Sequence, residues 1–167
     1  GVLVFDKETD SLASLAFSNS ERLVKTLNAM GFLFKDIVIK NVSKNEFFRK
    51  VIYNKEQNNT NNLQGILGAL IPSGNVSELK EGSHIKTILL YPLIKGEEVS
   101  GVLLLGFNRD YITLNNFEKA SIQSSINAIA LLLDKAYLYK DLQASYEITK
   151  KAYALEKKAN EELENLD

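Results

Sequence analysis

The residues able to do chemistry are few. The chain has one histidine, His84, and no cysteine, so disulfides, thiolate metal sites, cysteine nucleophiles and thioether attachment of a cofactor are all excluded. A single imidazole also rules out a multi-histidine metal centre and leaves only carboxylate sites for hard ions. Asp6, Glu8 and Asp10 cluster in sequence, but charged residues in a short polar stretch read more simply as a solvated turn than as a metal or acid–base site. His84 begins a strand-like run in a polar setting, with Glu81 as the near carboxylate, and nothing around it resembles a haem pocket or a phosphoacceptor helix. The glycine spacing of phosphate- and dinucleotide-binding loops is absent. No nucleophile–base pair or metal cluster can be assembled, so no catalytic residue is expected in this chain.

The overall balance points the same way. Twenty basic and 21 acidic residues give a formal charge of −1, without the footprint of a nucleic-acid or anionic-membrane binder. The longest apolar stretches, Ile88–Ile94 and Ala128–Leu133, fall far short of the ~20 residues of a membrane span. The start, Gly1-Val2-Leu3-Val4-Phe5, has no charged leader and no initiator Met, which predicts a cytoplasmic piece of a longer protein. A chain of 167 residues, 45% of them apolar, is long enough for one domain burying roughly 70% of its unfolded surface, plus an extension.

Val2–Asp6 and Ser11–Phe17 are β-like runs across a polar turn, which predicts an opening hairpin. Ser18-Asn19-Ser20 offers caps to a helix over Glu21–Met30, where Leu23, Leu27 and Met30 recur at helical spacing and Gly31 supplies the stop. Ile37-Val38-Ile39 is a β-branched run. Ser43 and Glu46 have capping-box spacing ahead of a helix that turns Phe47, Phe48 and Val51 inward. The asparagine-rich tract Asn58–Asn62 reads as a loop, Leu63–Ile71 as a short helix closed by Pro72, and Ser73–Ser83 as a polar linker. Gly65 and Gly68 permit close packing in the short helix, or a low threshold for its rearrangement. The clearest hairpin is His84–Ile94 and Val99–Phe107 around Lys95-Gly96-Glu97-Glu98. Its strands carry Ile, Val and Leu on both alternating faces, so both faces must be covered.

From Thr113 as a cap, Ile122, Ile126, Ile129, Leu133 and Ala136 form the stripe of a helix docked on a sheet. No Gly or Pro follows Gly106, so the helix is expected to run to Asp167. Beyond Asp134 a second seam passes through Leu138, Asp141, Ser145, Ile148, Ala152, Leu155, Ala159, Glu162 and Leu166, in steps of three and four. Six of those nine positions are apolar, a heptad-like pattern that predicts pairing with another helix. Shifting two steps to Leu142 and Leu163 removes both acids and breaks strict alternation. Lys157 to Glu161 and Lys158 to Glu162 are spaced for ion pairs along the helix. The division expected is residues 1–136 as a domain and 137–167 as a coiled-coil-like linker helix.

The second hairpin carries a family resemblance. Ile88-Leu89-Leu90-Tyr91-Pro92-Leu93-Ile94, the turn Lys95-Gly96-Glu97-Glu98, and Val99-Ser100-Gly101-Val102-Leu103-Leu104-Leu105 resemble the apolar-x-Pro-Leu, turn, Gly-Val-Leu-x-Leu pattern of GAF domains, sensory modules of bacterial and archaeal signalling proteins. Asn54-Lys55-Glu56-Gln57 is similar to a helix-ending turn of that family, without its Gly and Pro, and the match spans about Gly1 to Lys135. Pro92 needs an edge or a bulge, and Gly101 a bulge or close backbone approach. The resemblance implies an α+β fold: a central antiparallel sheet of about six strands, helices on one side, a ligand pocket on the other, and dimerisation through terminal helices. The family's helix before the first strand has no counterpart here. A PAS-like sensor is the alternative fold.

Among GAF domains, Phe32, Phe34, Phe47, Phe48, Ile66, Leu70 and Tyr91 come from the segments that wall the pocket, and aromatic lining suits a small planar ligand; the competing reading is that they fill the core. No cofactor is assigned. Asn54-Lys55 lacks the continuation of the cyclic-nucleotide subgroup, since Phe117 is followed by Glu-Lys-Ala-Ser, and bilin attachment and methionine-sulfoxide reduction need cysteine. The expectation is a non-catalytic sensory domain of a multidomain transducer, a sensor histidine kinase above all, coupling a small-molecule pocket to its C-terminal helix and forming a homodimer through it. The alternative is a ligand-free dimerisation and spacer module.

Overall fold

Strand pairing organises the molecule. A computed structural model describes residues 1–18, 20–71 and 75–165. Six strands, β1 (Val2–Asp6), β2 (Ser11–Ala16), β3 (Val38–Lys40), β4 (Asn58–Thr60), β5 (Thr87–Lys95) and β6 (Glu98–Phe107), form one sheet in the order β3-β2-β1-β6-β5-β4. Every neighbour is antiparallel. Five helices complete the described structure: α1 (Glu21–Ala29), α2 (Glu46–Tyr53), α3 (Leu63–Leu70), α4 (Val76–Ser83) and α5 (Asn116–Glu164). This is the α+β fold with a six-stranded antiparallel sheet and a long terminal helix that the sequence predicts.

The long central pair β5–β6 is apolar on both faces, and alternation sends its residues to two separate layers. Ile88, Leu90, Val102 and Leu104 join Leu3, Leu12 and Ile39 in the main core. Phe48, Val51, Ile66 and Leu79 of the helices close it. Leu89, Leu93 and Leu103 are also buried, on the opposite face. Tyr91 lies on that second face and its hydroxyl accepts a hydrogen bond from Gln123 Nε2 of α5 at 2.8 Å. Leu114 and Ile126 are buried as well, so helical cover exists on both sides rather than on one.

Gly101 explains how tightly β1 fits. A Cβ there would lie 2.2 Å from the Leu3 carbonyl oxygen, far inside contact distance. Pro92 pairs with Val102, beyond the reach of β4, which meets only Ile88–Leu90, and just before a register shift between Leu93 and Ile94. Gly96, at φ +63, closes the turn in the left-handed region that favours glycine.

Several local expectations are corrected. Asn45, not Ser43, caps α2, its side chain accepting from the Phe47 and Phe48 amides; Ser43 lies in a 3₁₀ turn, Val42–Lys44. The reciprocal capping box occurs instead at α5, where Asn115 and Glu118 each accept the other's backbone N–H. Thr113, expected as that cap, sits in a 3₁₀ turn and donates to the Asp110 carbonyl. The tract read as a loop contains β4, whose amide-rich residues are drafted into an edge by the exposed backbone of β5. The polar linker contains α4, with Val76 and Leu79 buried. His84 terminates α4 in the left-handed conformation, φ 55, and the strand begins later, at Thr87. The expected cap Asn19 and helix stop Pro72 lie outside the described residues.

By contacts the chain divides into Gly1–Ile126 and Asn127–Asp167. Ile126 is fully buried and is the last residue of the first unit; Ile129, Leu133 and Ala136 belong to the second. The second unit is helix through Glu164 without a break, and the pairs Lys157–Glu161 and Lys158–Glu162 form at 3.8 Å.

The clash at Gly101 yields a stability prediction. Gly101→Ala must push β1 off β6 and should cost about 3 kcal/mol, whereas Gly96→Ala, in an open turn, should cost about 1 kcal/mol. Urea unfolding of the two variants checks this; a Gly101→Ala loss smaller than that of Gly96→Ala would overturn the packing argument.

Candidate functional site

Three helices converge on one face of the sheet to leave a cavity of about 310 Å³. α1 contributes Leu23 and Leu27, four residues apart on one helical face. α3 supplies Leu67 and Leu70, α4 supplies Leu79 and Ser83, and the floor is Ile88 of β5 with Leu104 of β6. The rings of Phe17 and Phe34 stack on one side, with centroids 3.9 Å apart and an interplanar angle of 9°. α1 and α4 approach closely because α4 carries Gly82, where a Cβ would lie 2.6 Å from Thr26 Oγ1. The polar side chains of the lining belong to Ser18, Ser20, Arg22 and Ser83, and the Gly1 amine, which donates to the Leu104 carbonyl, lies there too. Such a lining favours an apolar body held by a few oriented polar contacts.

The seven residues expected to wall a pocket separate into three groups. Phe34 and Leu70 line the cavity. Phe48 and Ile66 are fully buried in the main core, and Phe32 and Phe47 pack against it, Phe47 over Gly65, where a Cβ would meet its ring at 2.3 Å. Gly68 has only the Gln64 side chain nearby. Tyr91 lies across the sheet, bonded to Gln123. The cavity therefore sits on the helix-rich side, not on the side opposite the helices.

α4, which brings Leu79 and Ser83 to the lining, escaped sequence reasoning. Its signal was the three-residue spacing of Val76 and Leu79, weak among Ser, Glu, Lys and Gly. The α1 stripe of Leu23 and Leu27 was visible, but nothing in the sequence distinguished a cavity wall from ordinary core.

The acidic cluster of the first turn is structural in part. Asp10, at φ 48, accepts from the Ser43 hydroxyl at 2.6 Å, the Ser43 amide at 3.2 Å and the Tyr53 hydroxyl at 3.0 Å. It thereby ties the β1–β2 turn to the approach to α2 and to its end. Asp6 accepts from the Glu8 and Thr9 amides within its own turn. Among the described residues no group of three His, Asp or Glu could hold a metal ion.

On the second unit, the expected seam residues Leu138, Ile148 and Leu155 are 61%, 68% and 69% exposed, and Ala152 and Ala159 are exposed too. Leu166 lies outside the described residues. Leu142 and Leu163, the shifted positions, are likewise exposed. Beside them runs a heptad-spaced row not anticipated, Tyr139, Tyr146 and Tyr153, all exposed. No described helix is long and apolar enough to cross a membrane. No protein-family profile matches the chain, and no curated protein matches it.

The Asp10 contacts predict a pH effect. Its carboxyl is held below the ordinary value of 3.8, first by the Ser43 hydroxyl, with the Ser43 amide and Tyr53 adding to it. A depressed folded value means stabilisation that is complete well above 3.8 and disappears as pH falls through the lowered value. Asp10→Asn tolerates the same backbone conformation and cannot titrate. Urea midpoints should therefore show wild type losing stability relative to Asp10→Asn below about pH 4, with a constant difference above about pH 5; parallel profiles down to acid would contradict the assignment.

Proposed function

We propose that this chain is a GAF-type sensory module without a catalytic role of its own, working inside a cytoplasmic multidomain signalling protein such as a sensor histidine kinase. The observation that carries the reading is the double duty of β5 and β6. On one face Ile88 and Leu104 floor the cavity; on the other, Tyr91 holds Gln123 near the start of α5. A ligand that changes the spacing or tilt of these strands acts on the root of the helix without a separate relay. It must bind two helix arrangements unequally, since equal affinity shifts nothing. The hairpin resemblance and the sheet of six strands support the same reading.

The test uses the absence of cysteine: Glu147→Cys, at an exposed position, places one spin label on each copy. A ligand found by thermal shift should change the label-to-label distance by about 2 Å or more. Tyr91→Phe should retain binding and lose most of that change. Unchanged distances with bound ligand would sink the coupling.

The exposed seam supports a homodimer through α5, and by itself also fits a ligand-free spacer that only holds flanking domains in register. In the double variant Leu138→Asp and Leu155→Asp, light scattering should report monomer at concentrations where the parent is dimeric, because buried charge at paired positions costs about 2 kcal/mol or more. A persistent dimer would exclude this seam.

A further inference from the structure

The cavity does not end at its apolar lining. Arg22 and Ile85 are shared with an adjoining surface depression of about 620 Å³. Lys80, His84 and Lys86 also border that depression, with Glu81 as its one carboxylate. Ser77 and Asn108 add neutral hydrogen-bonding groups. Arg22, Lys80 and Lys86 are exposed, and none of them makes an ion pair among the described residues.

In a chain of net charge −1, three unpaired cations against one carboxylate make a local positive field at the opening of an apolar space. A concave site lined by one sign of charge concentrates counter-ions. The groove beside the β5–β6 turn provides the contrast: it also carries lysines, but Lys7 pairs with Glu98 and Lys55 donates to the Glu97 carbonyl. Its cations are already engaged; those near the cavity are not.

We infer that the cavity and the depression together bind an amphipathic anion, an apolar chain or ring system in the cavity carrying a carboxylate or phosphate that rests among Arg22, Lys80 and Lys86. The volume sets the size. At ~30 Å³ for each water-sized group, about 310 Å³ holds roughly ten non-hydrogen atoms of apolar body. Ser18 and Ser20 of the lining supply neutral hydrogen-bonding groups to the head group without demanding a second charge. This assignment deepens the sensory reading and rests on it for its biological meaning, but the binding chemistry stands on the lining alone.

Titration calorimetry on the full chain with decanoate, decanol and decyltrimethylammonium tests it. Decanoate should bind tightest and the cation weakest, and added salt should weaken decanoate alone. The double variant Arg22→Ala and Lys86→Ala should lose about tenfold in decanoate affinity, at up to ~fivefold for each exposed charge contact, with decanol unaffected. Leu67→Phe, which narrows the cavity, should weaken both; Leu79→Phe repeats the test from α4 if that variant folds poorly. Vesicles of phosphatidylcholine with and without phosphatidic acid form a further arm. Binding to acidic vesicles without binding of monomeric decanoate would make the patch a membrane contact and overturn the cavity assignment. Equal affinity for the three amphiphiles, or none, would also overturn it. If decanoate binds as expected yet spin-label distances on α5 stay fixed, the sensory coupling fails while this site stands. If another ligand moves the helix and decanoate does not bind, the site assignment fails while the coupling stands.

Discussion

Strands β5 and β6 have no face to offer to water. Ile88, Leu90, Val102 and Leu104 look one way and Leu89, Leu93 and Leu103 the other. Each buried leucine or isoleucine is worth about 1.5–3 kcal/mol relative to exposure, so leaving either layer uncovered would forfeit several times that amount. A chain built around such a pair must deliver cover to both sides. α1 to α4 meet one obligation and the start of α5 the other, and this is why a sheet of modest size gathers so much helix. The need to place β1 directly against β6 then selects glycine at position 101, where any side chain would enter the partner's backbone.

What could be read from the sequence follows the strength of each local signal. The β5–β6 hairpin was legible because two strands rich in Ile, Val and Leu flank one glycine-bearing turn. α5 was legible because nothing in it breaks a helix. Boundaries and caps were less so: Ser43 and Asn45 are both good caps, and the choice between them is made by Asp10, which takes the Ser43 hydroxyl for itself. β4 could not be foreseen, since Asn58-Asn59-Thr60 has no strand preference and pairs only because Ile88–Leu90 present unsatisfied backbone groups.

The candidate site was the least legible part. Aromatic residues drew attention, yet Phe48 is simply core and Tyr91 serves the far face. The lining is mostly leucine and isoleucine from five separate segments, and only packing decides which of them border a void. The cations beside it are scattered through α1, α4 and the approach to β5, so their convergence is a property of the fold and not of any stretch of sequence. The division of labour is physically coherent: residues that specify the fold form local patterns, whereas residues that shape the cavity share no pattern beyond their final location.

The two borders of the sheet are both only three residues long, Val38–Lys40 and Asn58–Thr60. An edge strand displays unpaired backbone donors and acceptors that invite another chain to add a strand, and short edges with charged or amide side chains withhold that invitation. Sheets of neighbouring copies therefore have little means of fusing side by side. Any association between copies is then left to side chains instead of to promiscuous backbone.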